Sequence, residues 1–288
     1  MKIVLGTAQF GLEYGIANRG GRIEKNEARE ILHYARENGI HLLDTAVNYG
    51  GSEQILGELG VNEWQIITKL PSIEECSENY YAVIREIIFN SLQRLKVPSI
   101  YGLLLHDPKQ LLQDNSEKVY QALDKIKSDG LVQKIGVSIY DPIELTKLSS
   151  NYKFDIVQAP FNVFDRRIIK SNLHNKLAEQ NIELHVRSIF LQGLLLLPPD
   201  RRPEKFNRWK SLWSKWDAWV IENNTTPLQL CISYAMSCPF IDKIVVGIDS
   251  CLQLEEIIQS LSGDFPEPPD DLQSNDLMLI NPFSWTEL

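Results

Sequence analysis

Four side chains that can move a proton follow short apolar runs in the first third of the sequence. Asp44 ends one run, Tyr49 comes five positions later, and Lys69 and His106 end the next two runs. A carboxylate, a phenol, an ammonium group and an imidazole can together protonate a carbonyl oxygen while the carbonyl is reduced. We expect the Lys69 ammonium to lower the pKa of Tyr49 by favouring its phenolate form. We expect Asp44 to keep Lys69 charged and oriented.

Each of these residues also has a purely structural interpretation. Asp44 can cap a turn, Lys69 can extend along the surface, Tyr49 can pack and His106 can be a core histidine. Taken singly, those interpretations are favoured. Taken together, the four residues fall at strand ends on one predicted face, which indicates an active site.

Short apolar runs alternate with helical patterns along most of the chain. Strands are predicted over residues 2–5, 41–44, 65–68, 100–105, 134–138, 155–159, 183–187 and 243–246. Helices are predicted over about 25–38, 52–59, 79–95, 116–128, 168–180, 227–236 and 251–261, with a short one after Pro142. Eight alternations favour a closed (β/α)8 TIM barrel over a doubly wound sheet of about five to seven strands. In a barrel, all strand carboxyl ends meet at one mouth.

We expect one barrel domain over residues 1–261, with cofactor and catalytic residues in it, and a C-terminal tail over 262–288. No linker rich in Pro, Gly or Ser interrupts the alternation. An insertion after the seventh strand is rich in tryptophan, at positions Trp209, Trp213, Trp216 and Trp219. Their spacing predicts one face of a helix. That face either packs on the barrel wall or lines a substrate pocket.

Composition excludes several classes of partner. The formal net charge is -9 and the basic residues are scattered, which argues against binding to nucleic acid. The apolar stretch at the amino terminus is too short for a signal peptide and no long apolar run follows, so we expect a cytoplasmic protein without a membrane partner. The cysteines Cys76, Cys231, Cys238 and Cys251 lack zinc-type spacing, so we expect reduced buried thiols and no metal. The oligomeric state is left open.

Six motifs stand in order along the chain. They are residues 44–53 (Asp-Thr-Ala-Val-Asn-Tyr-Gly-Gly-Ser-Glu) with Gly57, Thr68-Lys69, Leu105-His106, Gly136-Val137-Ser138, Gln158 with Asn162, and Gln192-Gly193. With these motifs, residues 2–260 resemble the aldo-keto reductase superfamily, and specifically its prokaryotic Tas-like branch. The resemblance implies that Tyr49 is the general acid or base, that Lys69 and Asp44 tune it, and that His106 orients the carbonyl.

The resemblance also implies NADP(H) or NAD(H), bound across the carboxyl face without a Rossmann glycine motif. It places the nicotinamide carboxamide at Ser138 and Gln158. The residues expected along the pyrophosphate and adenosine are Ser188, Leu191, Gln192, Gly193, Gly247, Ile248, Ser250, Gln253 and Glu256. Gly6, Thr7, Asp44 and Arg187 complete the predicted cofactor set, and Tyr49, His106 and Asn162 form the predicted substrate set. Backbone amides at the start of the last helix are expected to suit a phosphate.

The sequence departs from the family pattern in three respects. Ile139 follows Ser138 where an asparagine is common. Arg187 replaces an aromatic residue that stacks on nicotinamide; its guanidinium can also stack, but it adds positive charge that can alter the redox balance or attract an acidic substrate. Asp249 and Gln253 replace the basic residues that usually face the 2′-phosphate, which disfavours NADPH.

The leading hypothesis is an NAD(P)H-dependent reductase of an aldehyde or ketone, or an alcohol dehydrogenase in the reverse direction, acting by hydride transfer. Polar groups at the mouth favour an oxygenated or sugar-like small molecule. The alternative is a nucleotide-binding regulatory subunit or sensor with the same fold and little turnover. A hydrolase or aldolase would need paired carboxylates or a Schiff-base lysine apart from Asp44, and neither is evident.

Overall fold

Eight parallel strands close into a barrel in sequence order in the computed structural model, which describes residues 1–18, 20–73, 79–263 and 266–288. The strands are β1 Ile3–Gly6, β2 Leu42–Asp44, β3 Gln65–Leu70, β4 Ile100–Leu105, β5 Val132–Ser138, β6 Ile156–Pro160, β7 Glu183–Arg187 and β8 Lys243–Gly247. The last strand pairs with the first, Ile244 lying opposite Ile3. The predicted (β/α)8 barrel is confirmed.

Helices follow the strands and cover the outside of the barrel. They are α1 Ala8–Gly11, α2 Lys25–Glu37, α3 Ser52–Leu59, α4 Tyr80–Leu95, α5 Ser116–Ser128, α6 Pro142–Leu148, α7 Arg167–Lys170, α8 Leu173–Glu179, α9 Lys210–Glu222, α10 Pro227–Ser237, α11 Cys251–Gln259 and α12 Leu277–Ile280. The prediction of one helix over residues 168–180 is wrong. Asn172 has a φ of 55°, a left-handed conformation that ends α7 and starts α8.

The interior of the barrel explains why the polar residues reach the mouth. Its floor is an apolar cluster formed by Val4, Leu42, Ile67, Leu104, Ile156 and Val245. Because strand side chains alternate between faces, the next inward position lies two residues further on. Those positions hold Gly6, Asp44, Lys69, His106, Gln158 and Gly247. The alternation that buries the apolar floor therefore places the side chains of Asp44, Lys69, His106 and Gln158 in the layer above it, at the mouth of the barrel.

The tryptophans of the insertion pack against the barrel and the tail. Trp213, Trp216 and Trp219 are buried on α9, and Phe164 lies 5.1 Å from Trp213 between ring centroids. Trp209 precedes α9 instead of sharing its face, and its indole N–H donates to Asp276 of the tail at 2.9 Å. None of the four is among the described residues that line the cleft at the mouth. The structure thus favours the packing interpretation over a substrate-pocket wall.

The remaining expectations concern thiols and membranes. Cys231 and Cys238 are buried and Cys251 is partly exposed, while Cys76 lies outside the described residues. Within the described ranges, no helix is both long enough and apolar enough to cross a bilayer. In the same ranges, no three potential metal ligands cluster together.

Candidate active site

A cleft of about 640 Å³ opens at the carboxyl ends of the strands. Its walls come from the loops after β1, β7 and β8. The predicted cofactor residues that line it are Gly6, Thr7, Asp44, Gln158, Arg187, Ser188, Gln192, Gly193, Gly247, Gln253 and Glu256. Tyr49 also lines it. The barrel therefore brings together residues separated by more than two hundred positions in the sequence.

A buried ion pair lies at the base of the cleft. Lys69 Nζ is 2.5 Å from Asp44 Oδ1 and also donates to the Thr45 carbonyl at 2.9 Å. The other carboxylate oxygen of Asp44 accepts from Gln158 Nε2 at 2.7 Å. Lys69 is 1% exposed and Asp44 is 3% exposed. Each charge is thus compensated by the other and by hydrogen bonds, which a buried pair requires.

Tyr49 lies beside this pair with its hydroxyl 3.5 Å from Lys69 Nζ. Burial raises the pKa of Tyr49, the Asp44 carboxylate raises it further, and Arg187 opposes them. The predicted lowering of the Tyr49 pKa is therefore wrong, because Asp44 compensates the ammonium charge and burial disfavours a phenolate. At neutral pH, Tyr49 is a phenol with a proton to donate.

The loop that carries Tyr49 is held by its own motif and by α1. Ser52 Oγ donates to the Thr7 carbonyl at 2.9 Å, and the buried Glu53 carboxylate forms an ion pair with the partly exposed Arg94 at 2.7 Å. A Cβ on Gly11 would lie 1.8 Å from the Tyr49 carbonyl oxygen, so only glycine allows this approach. Ser52 and Glu53 stand in the motif as anchors of the loop, a role that the sequence did not reveal.

His106 completes the set, with its ring centroid 5.9 Å from that of Tyr49 in an edge-on arrangement. Burial, followed by the charges of Lys69 and Arg187, lowers the pKa of His106 to about 4. The imidazole is therefore neutral at pH 7 and can donate one hydrogen bond to a carbonyl oxygen.

We expect an NMR titration of the His106 ring to show a midpoint near pH 4, below the ordinary 6.5. Between these two pH values the unfolded chain binds the proton on His106 and the folded chain does not. The free energy of unfolding should therefore fall as the pH drops through this window. His106→Gln assigns the signal, and the exposed ring of His33 serves as the internal control. A midpoint near 6.5 would contradict a desolvated imidazole.

Two buried polar atoms test whether the residues fit a nicotinamide. Ser138 Oγ and Gln158 Oε1 are buried and lack a hydrogen-bond partner among the described residues. The two residues lie opposite each other in the pairing of β5 with β6. The Ser138 hydroxyl can donate to the oxygen of a primary carboxamide, and the Gln158 side-chain oxygen can accept from its NH2 group. The residues present therefore fit the predicted group.

The loop after β7 forms one wall of the cleft in a constrained conformation. Ser188, Leu191 and Gln192 have φ values of 61°, 49° and 53°. Such left-handed residues cost energy and persist where the surrounding structure holds them. Here the Ile16 amide donates to the Gln192 carbonyl at 3.1 Å, and Asn162 Nδ2 donates to the Ser188 carbonyl at 3.1 Å.

Several predicted residues lie elsewhere than expected. Leu191 and Ile248 are fully buried in the core. Asn162 is 2% exposed; its side-chain oxygen accepts two backbone amides and its Nδ2 donates to the Ser188 carbonyl, so its side chain holds the loop after β7. The Ser250 side chain caps α11. These four side chains are engaged in packing or in backbone hydrogen bonds, and the expected ligand contacts of these residues stay predictions.

The amides at the start of α11 are also occupied. Glu27 Oε1 accepts from the Cys251 amide at 2.7 Å, and Gln253 Oε1 accepts from the Asp249 amide at 2.8 Å. Ser250 Oγ accepts from the Gln253 amide at 3.3 Å. The amides of Asp249, Cys251 and Gln253 thus already have side-chain acceptors, one of them a carboxylate from α2, and the expectation that this helix start binds a phosphate stays a prediction.

Sequence reasoning missed part of the cleft. Tyr14, Gln9 and Asn18 line it. Tyr14 accepts a hydrogen bond from Gln192 Nε2 at 3.1 Å, which joins the loop after β1 to the loop after β7. The available signal was a long polar segment that follows a strand on the catalytic side.

Comparisons with known proteins agree with this geometry. The model of the Aldo/keto reductase family matches residues 2–274. YqkF of Bacillus subtilis (strain 168), an uncharacterized oxidoreductase, is 27% identical over 280 residues, which cover 90% of each chain. D-threo-aldose 1-dehydrogenase of a Pseudomonas species is 24% identical over 303 residues, 91% of this chain and 92% of its own. The holo form of aldo-keto reductase AKR11C1 from Bacillus halodurans superposes with a TM-score of 0.72 at 19% identity, covering 91% of this chain and 87% of its own. At that identity, the likeness to AKR11C1 concerns the fold.

Proposed function

Because this chain belongs to the Aldo/keto reductase family, we propose that it reduces an aldehyde or ketone to an alcohol with a nicotinamide cofactor. The observation that carries the proposal is the Tyr49 phenol beside the buried Lys69–Asp44 pair. A small carbonyl compound or alcohol is its proposed partner, and NADP(H) or NAD(H) its proposed cofactor.

In this proposal each residue has a distinct task. When bound, the reduced nicotinamide supplies a hydride to the carbonyl carbon. Tyr49 donates its proton to the carbonyl oxygen as negative charge develops there. Lys69, 3.5 Å away, stabilises the phenolate that Tyr49 becomes. Neutral His106 orients the carbonyl oxygen, and Ser138 and Gln158 would hold the carboxamide of the nicotinamide.

Charge at the adenosine end of the cleft supports NADH over NADPH. Asp249 and Glu256 line that end, and Glu27 occupies the start of α11. A 2′-phosphate would bring a dianion among these carboxylates, which is unfavourable at short range. The ribose 2′-hydroxyl of NADH can instead donate to a carboxylate.

We expect the protein to bind NADH more tightly than NADPH by about tenfold or more, since about 1.4 kcal/mol of repulsion suffices for that factor. Quenching of tryptophan fluorescence measures both affinities, and oxidation of each cofactor with a panel of aldehydes and ketones measures turnover. Binding of neither cofactor, or no turnover with any carbonyl, would contradict the proposed function.

Two variants separate the causes of cofactor choice. Gln253 donates to Asp249 at 3.4 Å, so Gln253→Arg alone would place its charge against that carboxylate. The double variant Asp249→Ser with Gln253→Arg should therefore shift the preference toward NADPH more than Gln253→Arg does. Arg22 lines a depression next to Asp249 and Glu27. If the wild type prefers NADPH and Arg22→Ala removes that preference, the argument from charge fails.

The proposed substrate is small and oxygenated. Polar groups from Tyr49, Gln158, Arg187 and Ser188 face the cleft, which suits hydroxyl-bearing compounds better than plain hydrocarbons. One relative is named D-threo-aldose 1-dehydrogenase, which supports a sugar-like compound by analogy.

A further inference from the structure

Arg187 is a cation in the cleft that the proposed proton transfer does not use. It stands at the carboxyl end of β7, half-buried, and lines the cleft together with Asp44 and Tyr49. Among the described residues that line the cleft, no other is a lysine, arginine or histidine. Arg187 therefore dominates the positive charge of that surface.

The guanidinium is held by neutral groups. Its central carbon lies 4.5 Å from the ring centroid of Tyr140, and its Nη2 donates to the Ile139 carbonyl at 3.1 Å. Its Nη1 approaches Ser188 Oγ at 3.4 Å. Tyr140 is in turn packed edge-on against Phe283 of the tail, with ring centroids 4.8 Å apart. These contacts fix the guanidinium, and they leave several of its five N–H donors unused.

No carboxylate neutralises Arg187 within the part of the chain that the structure describes. The nearby Asp44 carboxylate is taken by Lys69 at 2.5 Å, so that pair carries no net charge. His106 is neutral at pH 7 because its pKa is lowered to about 4. The substrate end of the cleft thus holds one uncompensated positive charge, and a partly desolvated cation is costly without an anionic partner.

We propose that the carbonyl substrate carries an anionic oxygen group, a carboxylate or a phosphate, which pairs with Arg187. This inference rests on the proposed function and names the substrate class of the same site. A guanidinium presents a fork of N–H donors that matches both anions. The held orientation of Arg187 lowers the conformational cost of forming that pair.

The predicted role of Arg187 as a cofactor contact gives a different expectation. If the guanidinium only stacks on nicotinamide, its loss should weaken cofactor binding and slow all substrates equally. If it pairs with an anion on the substrate, its loss should slow only the anionic substrates. The ratio of kcat/KM between matched anionic and neutral aldehydes separates the two, because effects on folding and cofactor binding cancel in it.

The test compares 4-oxobutanoate with butanal, and glyceraldehyde 3-phosphate with glyceraldehyde, in the wild type and in Arg187→Met. We expect at least one ratio to favour the anion in the wild type and to fall by about tenfold to a hundredfold in Arg187→Met, the range for a charge-assisted hydrogen bond. The pair of aldehydes that responds identifies carboxylate or phosphate. Arg187→Lys should retain part of the ratio, and Arg29→Met on the exposed face of α2 is the matched loss of charge that should leave it unchanged.

Equal ratios in the wild type and Arg187→Met would overturn the inference, and a fall in NADH affinity alone would assign Arg187 to the cofactor. A second measurement keeps the question independent of turnover. Without any aldehyde, succinate or inorganic phosphate should each raise the melting temperature of the wild type with NADH bound. Arg187→Met should remove that rise. If the wild type reduces no carbonyl of the panel of aldehydes and ketones, the proposed function fails while this binding test still decides the role of Arg187.

Discussion

Replacing Tyr49 with phenylalanine is expected to lower kcat for carbonyl reduction by about 10²–10⁴-fold, the usual contribution of a general acid. The ring that packs edge-on to His106 is kept, while the only atom removed is the hydroxyl that lies 3.5 Å from Lys69 Nζ. Affinity for NADH should change little, because Ser138 and Gln158 are untouched. Steady-state kinetics and fluorescence titration measure the two quantities.

Tyr81→Phe is the matched control. It removes the hydroxyl of a tyrosine on α4 that donates to Asp129 in an exposed hydrogen bond. It should leave kcat unchanged. A Tyr49→Phe protein that keeps nearly full turnover would remove Tyr49 as the proton donor. The alternative from the sequence, a nucleotide-binding sensor with little turnover, predicts that Tyr49→Phe leaves the output unaltered, so the same variant discriminates between the two functions.

Replacing Lys69 with methionine is expected to destabilise the fold by about 3–5 kcal/mol, because it leaves the buried Asp44 carboxylate without its counter-ion. Turnover should also fall steeply, since the phenolate form of Tyr49 loses the ammonium beside it. Urea unfolding gives the free energy of unfolding, and kcat is measured at a temperature where the variant is folded.

The double variant Asp44→Asn with Lys69→Met separates stability from catalysis. Removing both charges should restore most of the lost stability, because exchange of a buried pair for neutral groups is often close to neutral. It should not restore kcat. If Lys69→Met proves as stable as the wild type, the pair does not have the desolvated character that the 1% exposure of Lys69 indicates. If the double variant regains turnover, Lys69 has no part in proton transfer.

Most of the architecture could be predicted from local patterns. Strands of apolar residues alternate with helical periodicity, and Asn79, Asp141 and Thr226 cap helices at or near the expected starts. The wrong predictions concern places where a single backbone angle or a long-range contact determines the local structure. Asn172 interrupts the helix predicted over residues 168–180, and Trp209 lies outside α9, with its indole bonded to the tail.

Part of the candidate site could be predicted and part could not. Asp44, Tyr49 and Gln158 reach one cleft as strand order requires. The role of Asn162 was not predictable, because its amide meets the Ser188 carbonyl only through the path of the loop after β7. Nor was the contact from Glu27 to the Cys251 amide, which joins residues 224 positions apart.

The sequence by itself determined the barrel, the family resemblance and the four residues that carry the proposed chemistry, because these depend on periodicity and on residue order. Only the tertiary structure decided the electrostatics. The pKa of Tyr49 is raised and that of His106 is lowered because burial and the compensation of Lys69 by Asp44 are properties of neighbours in space. For the same reason, only the folded chain shows that the charge of Arg187 meets no carboxylate among the described residues, which makes it the feature that points to an anionic substrate.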